Sequence, residues 1–91
     1  MRKITTEIIR SFNDYLINEE KAAATVNKYL HDVGEFQTWL GEQELCKTAV
    51  LAYKSYLCEQ YAPASVNAAL SSLNSFFNFM EWYELDRKSV V

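Results

Sequence analysis

The chain has 91 residues, too few for two independent cores and enough for one. With 49% hydrophobic and 14% aromatic residues against two glycines and one proline, its composition excludes a disordered, collagen-like or turn-rich β-sandwich chain and fits packed helices. A formal net charge of −3 argues against a stand-alone, tightly binding nucleic-acid protein, and leaves room for a weak or auxiliary DNA contact where the nine Lys and Arg cluster.

The first predicted helix runs from about residue 6 to 19. Thr5 or Thr6 caps it, and Glu7 suits the positive end of its dipole. Ile8, Ile9, Phe12, Tyr15 and Leu16 form one apolar stripe, while Arg10, Asn13, Asp14 and Asn18 face out. After the link "EEKAAA", a second helix is expected over about 25–40, started by Thr25 or Ala24. Val26, Tyr29, Leu30, Val33, Phe36 and Leu40 share its inner face, and Lys28, His31, Asp32 and Glu35 lie opposite. Gly41 follows as a left-handed C-cap. Thr48 is the expected cap of a third helix over about 48–59, whose stripe is Val50, Leu51, Tyr53 or Lys54, Leu57 and Cys58. Pro63 suits the first turn of a fourth helix, about 63–83, with Val66, Leu70, Leu73, Phe77 and Met80 inside. Its outer positions Ala68, Ser71, Ser72 and Ser75 are small and uncharged, and Asn67, Asn74 and Asn78 line one flank. Such a face gives hydrogen-bonding groups with little bulk, so another surface can come close.

Cys46 and Cys58 form no C-x-x-C pair, and His31 is the single histidine, so no metal, cofactor or disulfide framework is expected. No apolar run reaches bilayer length. The start "MRKITTEIIR" lacks the apolar core of a signal peptide. The expectation is a soluble, cytoplasmic protein without a membrane partner. The polar ending "ELDRKSVV" reads as a cut through a longer protein.

Two stretches repeat one another. "ATVNKYLHDVGEFQTWL", from Ala24, is echoed forty residues later by "ASVNAALSSLNSFFNFM", from Ala64. Packing into a shared core accounts for Val26/Val66, Leu30/Leu70 and Phe36/Phe76, and capping for Thr25/Ser65. Asn27/Asn67 either assists the cap or points outward. No second copy of the first or third helix is evident, so the pattern reads as a short and a long helix used twice, and not as a solenoid.

Thr25, Tyr29, Asp32, Val33, Phe36, Trp39 and Leu40 of the first stretch resemble the core-binding domain of tyrosine recombinases, the phage-integrase and Xer-like enzymes. Ser65, Val66, Leu70, Ser71, Ser72, Leu73, Phe76, Phe77, Phe79 and Met80 of the second are similar to the last long helix of that domain. The resemblance covers Thr6 to about Arg87. It implies an all-α, SAM-like orthogonal bundle of four helices, built from two short-long pairs, over residues 1–91. It further implies a core-binding domain of the kind that, in that family, precedes a catalytic domain and helps to clamp duplex DNA at the recombination site.

In that family the second and fourth helices lie against the duplex. The resemblance therefore implicates Thr25, Asn27, Lys28 and His31 on one, and Ser65, Asn67, Ala68, Ser71, Ser72, Asn74 and Ser75 on the other. Family members often carry Arg or Lys where Ala68 and Asn74 stand, so binding by this domain alone is expected to be weak. Further partners implied are the missing catalytic domain and neighbouring recombinase subunits in a tetramer. The family's chemistry needs a Tyr nucleophile among Arg, Lys and His groups. With three Arg (Arg2, Arg10, Arg87) and no H-x-x-R, the chain is expected not to be an enzyme. Asp32 is assigned a structural role, pairing with Lys28 or holding the next hairpin, and Trp39 and Phe79 are assigned to cover the core under the neighbouring short helix, with subunit contact as the second reading. The competing reading is a SAM-like protein-protein interaction module. A basic stripe joining Lys21, Lys28 and the fourth helix would favour DNA; an exposed apolar patch with Phe79 or Val90 and Val91 would favour a protein partner.

Overall fold

A computed structural model of the chain describes residues 2–85, and they form an all-α bundle. Its elements are α1 (Thr6–Asn18), α2 (Ala23–Leu40), α3 (Lys47–Gln60) and α4 (Pro63–Phe79), followed by a 3-10 turn, η1 (Tyr83–Leu85). Thr5 caps α1 as expected: the Ile8 N–H donates to its Oγ1 at 3.1 Å. Gly41 ends α2 at φ +60°, a conformation that penalises side chains, and its N–H reaches the Gln37 carbonyl at 3.1 Å.

α4 begins at Pro63 as expected, but three other helix ends or caps differ from the sequence reading. α2 begins at Ala23, before Thr25, and α3 at Lys47, before Thr48; the caps of α2, α3 and α4 are Ala22, Cys46 and Ala62, and none of the three uses a side chain. Thr25 and Ser65 are the third residue of their helices. The carbonyls of Ala22 and Ala62 instead accept from the N–H groups of Val26 and Val66, both at 3.0 Å. α4 stops at Phe79, short of residue 83, because Glu81 takes a positive φ of 60° and the Trp82 N–H turns back to Phe77 at 2.8 Å. A glutamate at that position carries no sequence signal for a helix end, and the apolar pattern runs on through Met80 and Trp82.

Phe12, Phe36, Phe76 and Phe77 are fully buried, with Leu16, Val33, Leu70, Leu73, Val50 and Val66 packed about them. In α3 the inward set is Ala49, Val50, Tyr53 and Leu57; Leu51 and Cys58, expected in its stripe, are exposed. Cys46 is exposed too. Three segments outside the long helices complete the core. Ile4 and Leu45 are buried, held where the Leu45 N–H donates to the Arg2 carbonyl (3.1 Å) and the Gln37 amide to the Ile4 carbonyl (2.8 Å). Leu85 of η1 is also buried, and the Arg2 guanidinium, which pairs with Glu84, lies 5.5 Å from the Trp82 ring centre.

The internal echo extends further than the long helices. Phe36 packs on Tyr53 of α3 (ring centres 4.7 Å apart), and its counterpart Phe76 packs on Phe12 of α1 (5.2 Å). Trp39 lies 6.2 Å from Tyr56, and its counterpart Phe79 lies 4.8 Å from Tyr15. Phe12/Tyr53, Tyr15/Tyr56 and Leu16/Leu57 are therefore matching positions, and "FNDYL" in α1 answers "YKSYL" in α3. The short helices correspond as well at these positions, which the sequence reading did not find. The chain is a doubled helix pair in which each long helix packs on its own short helix and reaches the other pair's short helix through its aromatic residues.

Candidate nucleic-acid interface

The two long helices make the largest interface of the fold, and residues forty apart in sequence meet within it. Ser72 of α4 donates its hydroxyl to Asp32 Oδ2 at 2.6 Å. The other carboxylate oxygen, Oδ1, accepts from Lys28 Nζ at 3.0 Å. Ser72 also reaches the Ala68 carbonyl, one turn back, at 3.2 Å. Asp32 and Ser72 are the same position of the echo, as are Lys28 and Ala68. A small Ser lets the helices approach, and the buried polar contact in the gap joins them at matching positions.

That contact corrects two outward assignments. Ser72 is fully buried and Asp32 is 7% exposed, so neither lies on an outer face. Ser72 therefore leaves the set of residues able to touch a duplex, because its hydroxyl is spent on a buried carboxylate. The expected Lys28–Asp32 pair is present.

Of the other ten implicated residues, Asn27, Lys28 and His31 on α2 and Ser65, Ala68 and Ser71 on α4 are exposed. Thr25, Asn67, Asn74 and Ser75 are half-buried. Asn67 and Asn74 are both engaged with other groups of the fold. The basic side chains of this surface stand beside carboxylates: Lys28 beside Asp32, and His31 Nε2 3.7 Å from Glu35. α4 itself carries no Lys or Arg, so a basic stripe does not continue from Lys28 across it. Phe79 is half-buried between Phe12 and Tyr15, covering α1, while Trp39 covers α3, as assigned. Val90 and Val91 lie outside the described residues.

Beside Lys28 and His31 the surface falls into a cleft of about 410 Å³, bounded by α2, α3 and the start of α4. Trp39, Tyr53, Tyr56 and Tyr61 line it with Glu35. Burial pushes the Tyr53 phenol up to about 12, helped by the nearby carboxylates of Glu35 and Asp32. Sequence reasoning left this feature out. Tyr53 and Tyr56 are legible as aromatics on one helix, but their meeting with Trp39 depends on how α3 docks. Among the described residues no group of His, Cys, Asp and Glu is placed to hold a metal ion, and no helix is long and apolar enough to cross a membrane.

A search among curated proteins and one among solved structures each find no match to the chain. A family model described as the N-terminal SAM-like domain of phage integrases matches residues 9–84, from α1 into η1. Because that match spans most of the chain and the all-α bundle agrees with it, the chain belongs to the family of phage integrase N-terminal SAM-like domains.

Proposed function

We propose that this domain is the non-catalytic DNA-binding part of a site-specific tyrosine recombinase, acting in the cytoplasm to help clamp duplex DNA at the recombination site. Strand transfer then belongs to a catalytic domain of the same recombinase, and further partners are neighbouring subunits of a tetramer on DNA. The observation that carries the reading is the Asp32–Ser72 contact within a phage-integrase domain, which sets equal positions of α2 and α4 side by side. Thr25, Asn27, Lys28 and His31 then face the duplex together with Ser65, Asn67, Ala68, Ser71, Asn74 and Ser75. Lys28 is the only formal cation in this set, and Asp32 holds it. Affinity of the domain alone is accordingly weak, and its dependence on salt shallow: each neutralised phosphate contributes about −0.9 to the slope of log K against log salt.

The test is an NMR titration of the isotope-labelled chain with a short duplex at low and then moderate salt. Salt-sensitive shifts confined to the regions around Thr25–His31 and Asn67–Ser75 are expected, and Lys28→Gln flattens the slope by about 1. Absence of shifts at every salt concentration overturns the reading and puts the protein-interaction module ahead.

A further inference from the structure

The aromatic cleft has an electrostatic character opposite to that of a phosphate site. Its wall is a run of ring faces: Trp39 and Tyr53 have centres 5.0 Å apart, and Tyr53 and Tyr56 are stacked at 6.0 Å with 21° between planes. Core packing accounts for Tyr53, which is 4% exposed, but not for Tyr56 and Tyr61, which remain 40% and 55% exposed beside it. Aromatic faces carry the negative side of a quadrupole and attract cations.

The charges of the cleft point the same way. Lys28 and Asp32 satisfy one another, with Ser72 on the second oxygen, so that pair presents little net charge. Glu35 is left, with its side chain 60% exposed and His31 Nε2 3.7 Å away, beyond hydrogen-bond distance. Counting histidine as neutral, the cleft holds one negative charge in excess. A carboxylate next to stacked ring faces is the arrangement that suits a guanidinium, which is planar, stacks on aromatics and pairs bidentately with a carboxylate; an ammonium is more strongly hydrated and fits it less well. A volume of about 410 Å³ accommodates such a side chain.

We propose that this cleft is a binding site for an arginine side chain, presented by a basic segment of a partner protein, with the guanidinium lying on the Trp39 and Tyr56 rings and paired to Glu35. The site does not depend on the DNA reading. Glu35, Trp39, Tyr53 and Tyr56, which would hold the guanidinium, are outside the set proposed to face the duplex, although Lys28, His31 and Ser65 of that set line the same cleft.

The experiment uses the labelled 91-residue chain at pH 8, titrated separately with N-acetyl-arginine amide, with the uncharged isostere N-acetyl-citrulline amide, and with a short duplex. The arginine compound is expected to give a saturable shift of the Trp39 indole N–H, while the Trp82 indole, already beside Arg2, stays in place. Citrulline binds roughly fivefold more weakly or less, and Glu35→Gln, an exposed position, weakens arginine binding by a similar factor. Equal binding of arginine and citrulline, no saturation with arginine, or an unchanged response in a folded Glu35→Gln variant each overturn the proposal. A duplex that saturates the same Trp39 signal also overturns it, since the cleft would then take nucleic acid.

Discussion

The Asp32–Ser72 hydrogen bond is expected to be one of the stronger single polar contributions to this fold. Ser72 is fully buried, Asp32 is 7% exposed, and the bond is 2.6 Å long. Hydrogen bonds to charged groups contribute about 1.5–3 kcal/mol, and Ser72→Ala would take one donor from a buried carboxylate that Lys28 also holds. Asp32→Ala is different, because the Ser72 hydroxyl keeps the Ala68 carbonyl as an acceptor at 3.2 Å and Lys28, half exposed, returns to water. The two single variants and the double variant form a cycle that isolates the pair from these side effects. Urea unfolding followed by circular dichroism should give a coupling of about 1.5 kcal/mol, and Ser72→Ala alone should lose about 2 kcal/mol, or roughly 10 °C in Tm for a domain of this size. A coupling below about 0.5 kcal/mol, at unchanged m-value, would refute the idea that this contact joins the long helices.

Two further outcomes follow from the core. Phe76→Ala removes a fully buried ring that touches Phe12, Phe77 and Trp82, and should cost about 3–5 kcal/mol in urea unfolding; a loss under about 2 kcal/mol would mean that the site collapses or that Phe76 is not central. The Tyr53 phenol, raised from its ordinary 10.0 to about 12 by burial and then by Glu35 and Asp32, holds its proton more tightly folded than unfolded. Its contribution to stability is complete below pH 10 and disappears as pH rises from about 10 to about 12. Ultraviolet titration should show a late phenolate step that Tyr53→Phe abolishes and Glu35→Gln moves to lower pH; a Tyr53 step at its ordinary value contradicts the geometry of the cleft.

Much of the architecture was legible in the residues. Helical spacing of Phe12 and Leu16, of Val26, Val33, Phe36 and Leu40, and of Val66, Leu70 and Leu73 identified the helices and their buried faces. Thr5 and Gly41 marked two ends through chemistry that acts within one turn. The end at Glu81 was not legible, because an ordinary side chain takes a positive φ there only when surrounding structure requires it. The copying of α1 in α3 was hidden in the same way. Phe12 against Tyr53 and Tyr15 against Tyr56 align once their contacts with the opposite long helices are known, and short, diverged helices carry too little pattern alone.

The candidate surface divides along the same line. Helical periodicity alone determined which side of α2 carries Lys28 and His31 and which side of α4 carries Ala68 and Ser71, because a residue's direction around its own helix follows from spacing. Only the tertiary structure decided that Ser72 and Asp32, outward by that reckoning, are buried against each other, since a second helix at close approach covers positions that an isolated helix would leave in water. The cleft where Glu35 and Trp39 meet Tyr53 and Tyr56 has the same origin. Its residues come from helices whose separation and docking angle are set by side-chain volumes in the shared core, and no local spacing encodes that sum.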